Sequence, residues 1–239
     1  MRQSPTLPLY YRFTDGLHSL RMLPARIDEA NNFYQYLGRH YVRNDRDDGL
    51  PRFTHLTCLD YTFSQTGVCP ICTYAALVRR EHGAAQARRF EPAQRTLVNV
   101  VDMQNTPPQG VQIAELVPSV MSAMLQYIDA DCPSAILSPK MGRVLDITRR
   151  RRNDEILSLT YEVSISEPQA SIDLSKLMRY RHNLRNEIVQ NSEGEYARAL
   201  EFLIEHSGLS TKEKPPEPPL ILTPDEITER LSSRRKLVL

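Results

Sequence analysis

The stretch Cys58-Leu-Asp-Tyr-Thr-Phe63 followed by Cys69-Pro70-Ile71-Cys72, with His40 upstream, decides the reading of this chain. It gathers three of the four cysteines into metal-ligand spacing. Two cysteines two residues apart form a knuckle tight enough for both thiolates to reach one ion at about 2.3 Å, and Pro70 pre-sets that turn. Cys58 supplies a third thiolate and a histidine the fourth ligand. A tetrahedral zinc site filled in this way is closed, so its ion supports the fold and leaves no open position for chemistry.

Two other readings of the same cysteines exist. Free cysteines are often buried hydrophobes, but clustering argues against that here. Cys-Pro-x-Cys is also a thiol oxidoreductase motif, with a thiolate at a helix N-terminus, and Tyr74-Ala-Ala-Leu-Val-Arg-Arg reads as helix. A redox knuckle should follow a buried apolar strand. This one follows the polar turn Ser64-Gln65-Thr66-Gly67 and another cysteine. Cys132, within Asp131-Cys132-Pro133, reads as a lone structural thiol.

The fourth ligand is His40 or His55. His55 stands three residues before Cys58, and in an extended strand an odd offset puts two side chains on opposite faces. His40 ends the run Phe33-Tyr-Gln-Tyr-Leu-Gly-Arg-His40, and a hairpin through Asn44-Asp-Arg-Asp-Asp-Gly49 returns the chain beside it. His40 is therefore favoured, with Asp60 or water as a substitute donor.

At 239 residues, with 41% hydrophobic and 25% charged residues, the chain has an ordinary globular composition and room for one sizeable domain with appendages or two small ones. No apolar run approaches the roughly 20 residues that span a bilayer, and Met1-Arg-Gln-Ser-Pro lacks a signal-peptide core. The expectation is a cytoplasmic protein without membrane contact, in the host cell cytoplasm if viral. Four cysteines, mostly in a metal pattern, agree with a reducing compartment.

A net charge of +1 makes local distribution the only nucleic-acid signal. Arginines are grouped at Arg79-Arg80, Arg88-Arg89 and Arg149-Arg150-Arg151-Arg152. Each group is either a solvated face or a phosphate site, and arginine suits the second because its planar fork binds phosphate bidentately and stacks on bases.

Short strands are expected at 17–26 and 34–42, a helix at 74–86 and a strand at 96–103, closed by the break Gln104-Asn-Thr-Pro-Pro-Gln-Gly110. Val117, Val120, Met121, Met124, Leu125 and Ile128 recur at helical spacing and form a core stripe. A hairpin follows. Leu145 and Ile147 lie on one arm, Asn153-Asp154 make the turn, and Leu157, Leu159, Tyr161, Val163 and Ile165 alternate on the other, as in a small barrel or half-open sheet. From 171 the pattern becomes helical, with one face at Leu174, Leu177, Met178, Leu184 and Ile188 and a second at Tyr196, Leu200, Leu203 and Ile204 before Gly208. The proline-rich run 211–222 reads as a linker and Thr223-Pro224-Asp225-Glu226 as the capped start of a terminal helix.

The order Leu20-Arg-Met-Leu-Pro-Ala-Arg-Ile-Asp-Glu29, an aromatic strand ending in His40, then Cys58, Cys69-Pro-Ile-Cys-Thr-Tyr74, arginines and Leu97-Val-Asn-Val-Val-Asp102 resembles the gene-32 single-stranded DNA-binding proteins of T-even bacteriophages and related phages. The resemblance covers roughly 17–165, and its specific part is the zinc spacing. It implies an α+β protein in which an OB-type antiparallel β-barrel carries an inserted zinc-binding subdomain, followed by C-terminal helices. One structural zinc on His40, Cys58, Cys69 and Cys72 is implied, and a role coating single strands in DNA replication, recombination and repair. The division expected is an N-terminal segment 1–16, an OB-type core 17–170 with the zinc subdomain at about 40–90, a helical extension 171–210, the linker and a terminal helix 223–239. The family's basic N-terminal arm and acidic C-terminal tail are not apparent, so cooperative binding and tail-mediated recruitment are not carried over.

Single-strand binding requires neutralised phosphates and stacked bases. The candidates are Arg79, Arg80, Arg88, Arg89, Arg149, Arg150, Arg151 and Arg152 for phosphates, and Tyr61, Phe63, Tyr74 and Phe90 for bases. The bland alternative for each aromatic is a place in the core. The leading expectation is a non-catalytic, sequence-independent single-stranded DNA-binding protein, with replication or recombination proteins docking on its C-terminal helices. A zinc-stabilised protein-interaction adaptor and a Cys69–Cys72 thiol oxidoreductase are the alternatives. No serine-histidine-acid grouping, phosphate-cradling glycine loop or catalytic carboxylate pair emerges.

Overall fold

The computed structural model describes residues 8–24, 33–45, 51–63, 67–105, 108–131, 136–151, 159–166 and 173–209. These fall into two units, Met1–Leu37 with Gln94–Ile188, and Gly38–Ala93 with Val189–Leu239. The fold is mixed α+β with antiparallel sheet. The proline-rich linker, the terminal helix, Cys132, Arg152 and the Asn153-Asp154 turn lie outside the described residues.

In the first unit, β1 (Gly16–Met22) lies between β4 (Ala93–Asp102) and β6 (Leu145–Arg151). β7 (Leu159–Ile165) pairs with β6 and β5 (Gln112–Leu116) with β4, so the ladder runs β5-β4-β1-β6-β7. No hydrogen-bonded pair joins β7 to β5 among the described residues. Alternation puts Leu20 and Met22 on one face, where they meet Val98, Val100, Leu145 and Ile147. Helix α4 (Pro118–Asp131) covers that face with Val120, Met121, Met124 and Ile128, the core stripe expected from helical spacing. Tyr161, Val163 and Ile165 of β7 pack half-buried against the same core. Strand β5 is additional to the expected elements. Its Gln112, Ile113, Ala114 and Leu116 are all buried, so it carries no alternating signature to read.

The opposite face is closed by Leu23, Val101, Val111 and Leu174. Here the expected helix from 171 is corrected. Ser175–Tyr180 is a short 3-10 helix, followed by turns to Ile188. The physical reason is Asn99, buried on β4. Its side-chain amide donates to the His182 carbonyl at 3.0 Å and its oxygen accepts from the His182 N–H at 2.9 Å. A backbone whose N–H and C=O are both engaged sideways is not available to an α-helical ladder. Arg181 adds a second pin, donating to the Met178 carbonyl at 2.7 Å and the Pro24 carbonyl at 2.9 Å.

In the second unit, β2 (Tyr34–Asp45, of which Gly38 onward belongs to this unit) returns as β3 (Pro51–Thr57) in the expected hairpin, with His40 opposite Leu56 and Tyr41 opposite His55. Helix α1 (Leu59–Phe63) and helix α2 (Pro70–His82) follow. α2 starts at Pro70, earlier than the expected Tyr74, because proline at the first helical position costs no hydrogen bond. It stops at Gly83, whose φ of +89° leaves the helical region. A single turn α3 (Ala84–Ala87) and a 3-10 turn Arg88–Phe90 lead out. Helix α5 (Glu193–Ser207) begins with a capping box between Ser192 and Glu195 and ends at Gly208, the expected stop. Its Tyr196, Ala199 and Leu200 pack on the cysteine-containing core, so the 171–210 extension divides between the units at Ile188.

Asn99→Leu is expected to leave the His182 N–H and C=O without their partner and to cost about 2–6 kcal/mol at roughly 1–3 kcal/mol per orphaned group, read as a lower urea midpoint. Tyr11 supplies a pH prediction. Its phenol donates to His18 Nδ1 at 2.8 Å, while His18 Nε2 donates to the Thr14 carbonyl at 2.8 Å. Burial, with the nearby Asp102 charge, pushes the phenol from 10.0 up to about 12. A raised folded-state value favours the neutral phenol, so this contribution is complete below the unfolded value and is lost as pH climbs toward about 12. Denaturant midpoints measured between pH 9 and 12 should fall, and less steeply in Tyr11→Phe.

Candidate metal centre

Four side chains from three separate segments converge in the second unit. The ligand atoms of His40, Cys58, Cys69 and Cys72 all lie within 4.8 Å of one another. His40 Nε2 is 3.3 Å from Cys69 Sγ and 3.5 Å from Cys72 Sγ, and Cys58 Sγ is 3.4 Å from Cys72 Sγ. A tetrahedron with metal–sulfur bonds of about 2.3 Å and a metal–nitrogen bond of about 2.0 Å has edges of roughly 3.5–3.8 Å. The cluster has that size. His40, Cys58 and Cys69 are buried and Cys72 is half-buried.

Local structure explains the convergence. Cys58 closes β3, donating its N–H to the Gly38 carbonyl at 2.8 Å, and its own carbonyl accepts from Thr62 to open α1. Cys69 is the cap residue of α2, in extended conformation, with Pro70 next and Cys72 one turn on. Positions three apart in a helix share a face, so both thiols point to the same place. The α2 N-terminus also favours negative charge there. Asp60 organises the approach. Its carboxylate accepts from the backbone N–H groups of Cys69 at 2.7 Å, Val68 at 2.8 Å and Gly67 at 3.2 Å. Asp60 is thus a clamp on the knuckle, a role that sequence reasoning, which kept it as a spare ligand, missed.

His40 is oriented by its other nitrogen. Nδ1–H donates to the Phe90 carbonyl at 3.0 Å, which leaves the Nε2 lone pair facing the sulfurs. This is the arrangement a metal-binding imidazole needs. His55 is exposed and sits edge-on to Tyr41 with centroids 5.7 Å apart, as strand parity predicts.

The thiols oppose one another electrostatically. Hydrogen bonds from Cys58 and Cys72, helped by His40, hold the Cys69 thiol far below its ordinary range. Sharing those hydrogen bonds, Cys58 is pushed up to about 12 and Cys72 is also raised. One thiolate forms readily and the next two are penalised by it. A divalent cation among them removes that penalty, because each sulfur then faces positive charge. The donor set therefore fits one metal ion.

Around the cluster the expected nucleic-acid residues separate. Tyr74 and Phe90 are 0% and 3% exposed and meet edge to face at 5.2 Å, so they are core residues and the stacking role is corrected for both. The inward face of α2 and the α5 residues packed on it enclose them. Tyr61 and Phe63 are half-buried against the same core. Arg79 pairs with Glu91 and Arg80 with Glu81, while Arg89 donates to the Ser207 carbonyl and lies over Phe90. Arg88 is exposed. In the first unit, Arg149 and Arg151 pair with Asp15 and Arg150 with Glu162. β6 is extended, so Arg150 points to the face opposite Arg149 and Arg151, and these three do not line a single surface.

Gly38 is the tightest point beside the cluster. A Cβ there would stand 2.8 Å from Cys58 Cβ and from Tyr61 Cβ. Gly38→Ala should cost about 1–3 kcal/mol by overpacking and lower retained metal. His40→Ala should abolish metal retention and His55→Ala should keep it, with elemental analysis of the purified variants as the measurement. Retention by the first and loss by the second would reverse the ligand assignment. Comparison with protein-family models finds no match for the chain, and comparison with curated proteins finds no relative.

Proposed function

We propose that this chain is a non-catalytic, sequence-independent single-stranded DNA-binding protein in which one zinc ion is structural. The observation that carries the metal half is the closed Cys3His set with the His40 tautomer locked by Phe90. Three soft thiolates and an imidazole at tetrahedral separations select zinc over the harder divalent ions. All four positions are filled by protein, so the ion would organise the second unit without presenting a reactive site. A thiol oxidoreductase is disfavoured because Cys69, the cysteine with the lowered pKa, is fully buried.

The DNA half rests on the resemblance to phage single-strand binding proteins and on the antiparallel sheet of the first unit, which we read as the body of an OB-type barrel. With Tyr74 and Phe90 in the core, stacking falls to exposed tyrosines. Tyr36 is 47% exposed, and Phe33, Tyr34 and Tyr36 form a row of edge-to-face rings spaced 5.0 Å apart. Each stacked base contributes about 1–3 kcal/mol without regard to sequence. The biological setting would be replication, recombination and repair in a host cell cytoplasm, with accessory proteins as further partners.

A protein-interaction adaptor is the second reading. It is favoured by the carboxylates that neutralise Arg79, Arg80, Arg149, Arg150 and Arg151, since a neutralised arginine face has less phosphate to attract.

The expected result is one zinc per chain, with loss of much of the helical signal on chelation, and tight binding of oligo-dT that weakens steeply with salt and exceeds duplex binding. A zinc-loaded protein that ignores oligo-dT at low salt would remove the DNA reading and leave the adaptor. A metal-free preparation with a reversible Cys69–Cys72 disulfide would remove the structural-zinc reading.

A further inference from the structure

The first unit carries a basic, aromatic surface element distinct from the three arginine groups. Leu174-Ser-Lys-Leu-Met-Arg-Tyr-Arg-His-Asn-Leu-Arg185 holds Lys176, Arg179, Arg181 and Arg185 and contains no carboxylate, although Asp173 directly precedes it and is near enough to Lys176 for their charges to interact. In the 3-10 helix Ser175–Tyr180, residues three apart eclipse one another, so Lys176 and Arg179 share one edge. Both are exposed, as is Arg185. Met178 and Leu177 turn inward against Leu23, Val101, Val111 and Leu174.

Tyr180 ends this turn at 53% exposure. The Arg179 guanidinium lies over its ring, 4.7 Å from the centroid. In the other basic groups Arg79, Arg80, Arg149, Arg150 and Arg151 face carboxylates and Arg89 lies over the buried Phe90 ring, whereas this guanidinium rests on an exposed ring. A cation on one face of a tyrosine leaves the other face for a base, and positive charge beside it for the flanking phosphates. The element is also held in place. Leu174 and Leu184 are buried on either side, Asn99 grips His182 from both backbone groups, and Arg181 reaches the Pro24 carbonyl. Such anchoring removes ordering cost from binding.

We propose that Tyr180, with Arg179 and Lys176, is a nucleotide-binding subsite for single-stranded DNA, in which one base stacks on the open face of Tyr180 and the two cations engage adjacent phosphates. It rests on the single-strand-binding reading and assigns part of the DNA contact to residues other than the arginine groups first expected to carry it.

The test uses the full zinc-loaded chain and oligo-dT, titrated by anisotropy across a salt series. Tyr180→Ala should weaken binding by about 5- to 150-fold, the equivalent of one stacked base, with the salt slope nearly unchanged, and Tyr180→Phe should restore it. Lys176→Ala with Arg179→Ala should lower the slope by about 1.4, roughly 0.7 per lost phosphate contact. Ultraviolet cross-linking of 5-bromo-deoxyuridine oligonucleotides should place an adduct on Tyr180. These side chains are exposed, so thermal melts should match the parent. Parent binding with variants within twofold and no adduct in 174–185 overturns the subsite alone. Failure of the parent to bind overturns the single-strand reading and the subsite with it. Variants that bind oligo-dT normally but lose an acidic protein partner assign the patch to protein contact instead.

Discussion

The hydrogen bond from His40 Nδ1 to the Phe90 carbonyl is the constraint on which the second unit depends. It fixes an imidazole by a backbone group 50 residues away and turns its free nitrogen toward three sulfurs. The hairpin, α1 and α2 are each too short to bury a core alone. Small folds of this kind normally need a metal or disulfides to compensate for limited apolar burial. Here a ligand set draws them together, and Asp60, Gly38 and α5 are arranged around it. Tyr196 of α5 donates to the Thr57 carbonyl, one residue before Cys58, so the helix braces the strand end that delivers the first thiol.

In the first unit the work is divided between a sheet and the segment laid over one face of it. Apolar burial under α4 supplies one core, and Asn99 makes the other face specific by binding backbone that is otherwise irregular. A buried asparagine with both ends satisfied costs little and fixes register. The consequence reaches the surface, since the same grip that prevents an α-helix at 174–188 presents Tyr180 and Arg179 outward.

Charge is distributed differently from what its clustering along the chain suggests. Arginines adjacent in sequence on β6 alternate between faces, and acids distant in sequence, Asp15 and Glu162, meet them. A charge run in a strand is therefore two half-runs, each open to its own partners. The aromatic residues show the same principle. Tyr74 and Phe90 flank the cysteines in sequence and, because α2 turns that face inward, they pack the core behind them.

Much of the candidate metal site was legible from residue order. The Cys-x-x-Cys spacing with proline at the first helical position carries its own geometry, strand parity separated His40 from His55, and helical spacing exposed the α4 stripe. These are local signals, set by the 3.6-residue turn, the two-residue pleat and proline's fixed φ. What only the tertiary structure decided is non-local. β5 is buried on both faces and shows no periodicity, the 174–188 segment has helical spacing but loses its backbone to Asn99, and the Asp60 clamp and the arginine partners are invisible until the chain is folded. The sequence by itself determined which residues could bind a metal and which faces were apolar. Packing decided which polar groups were already spent on one another, because that depends on contacts between residues far apart in the chain.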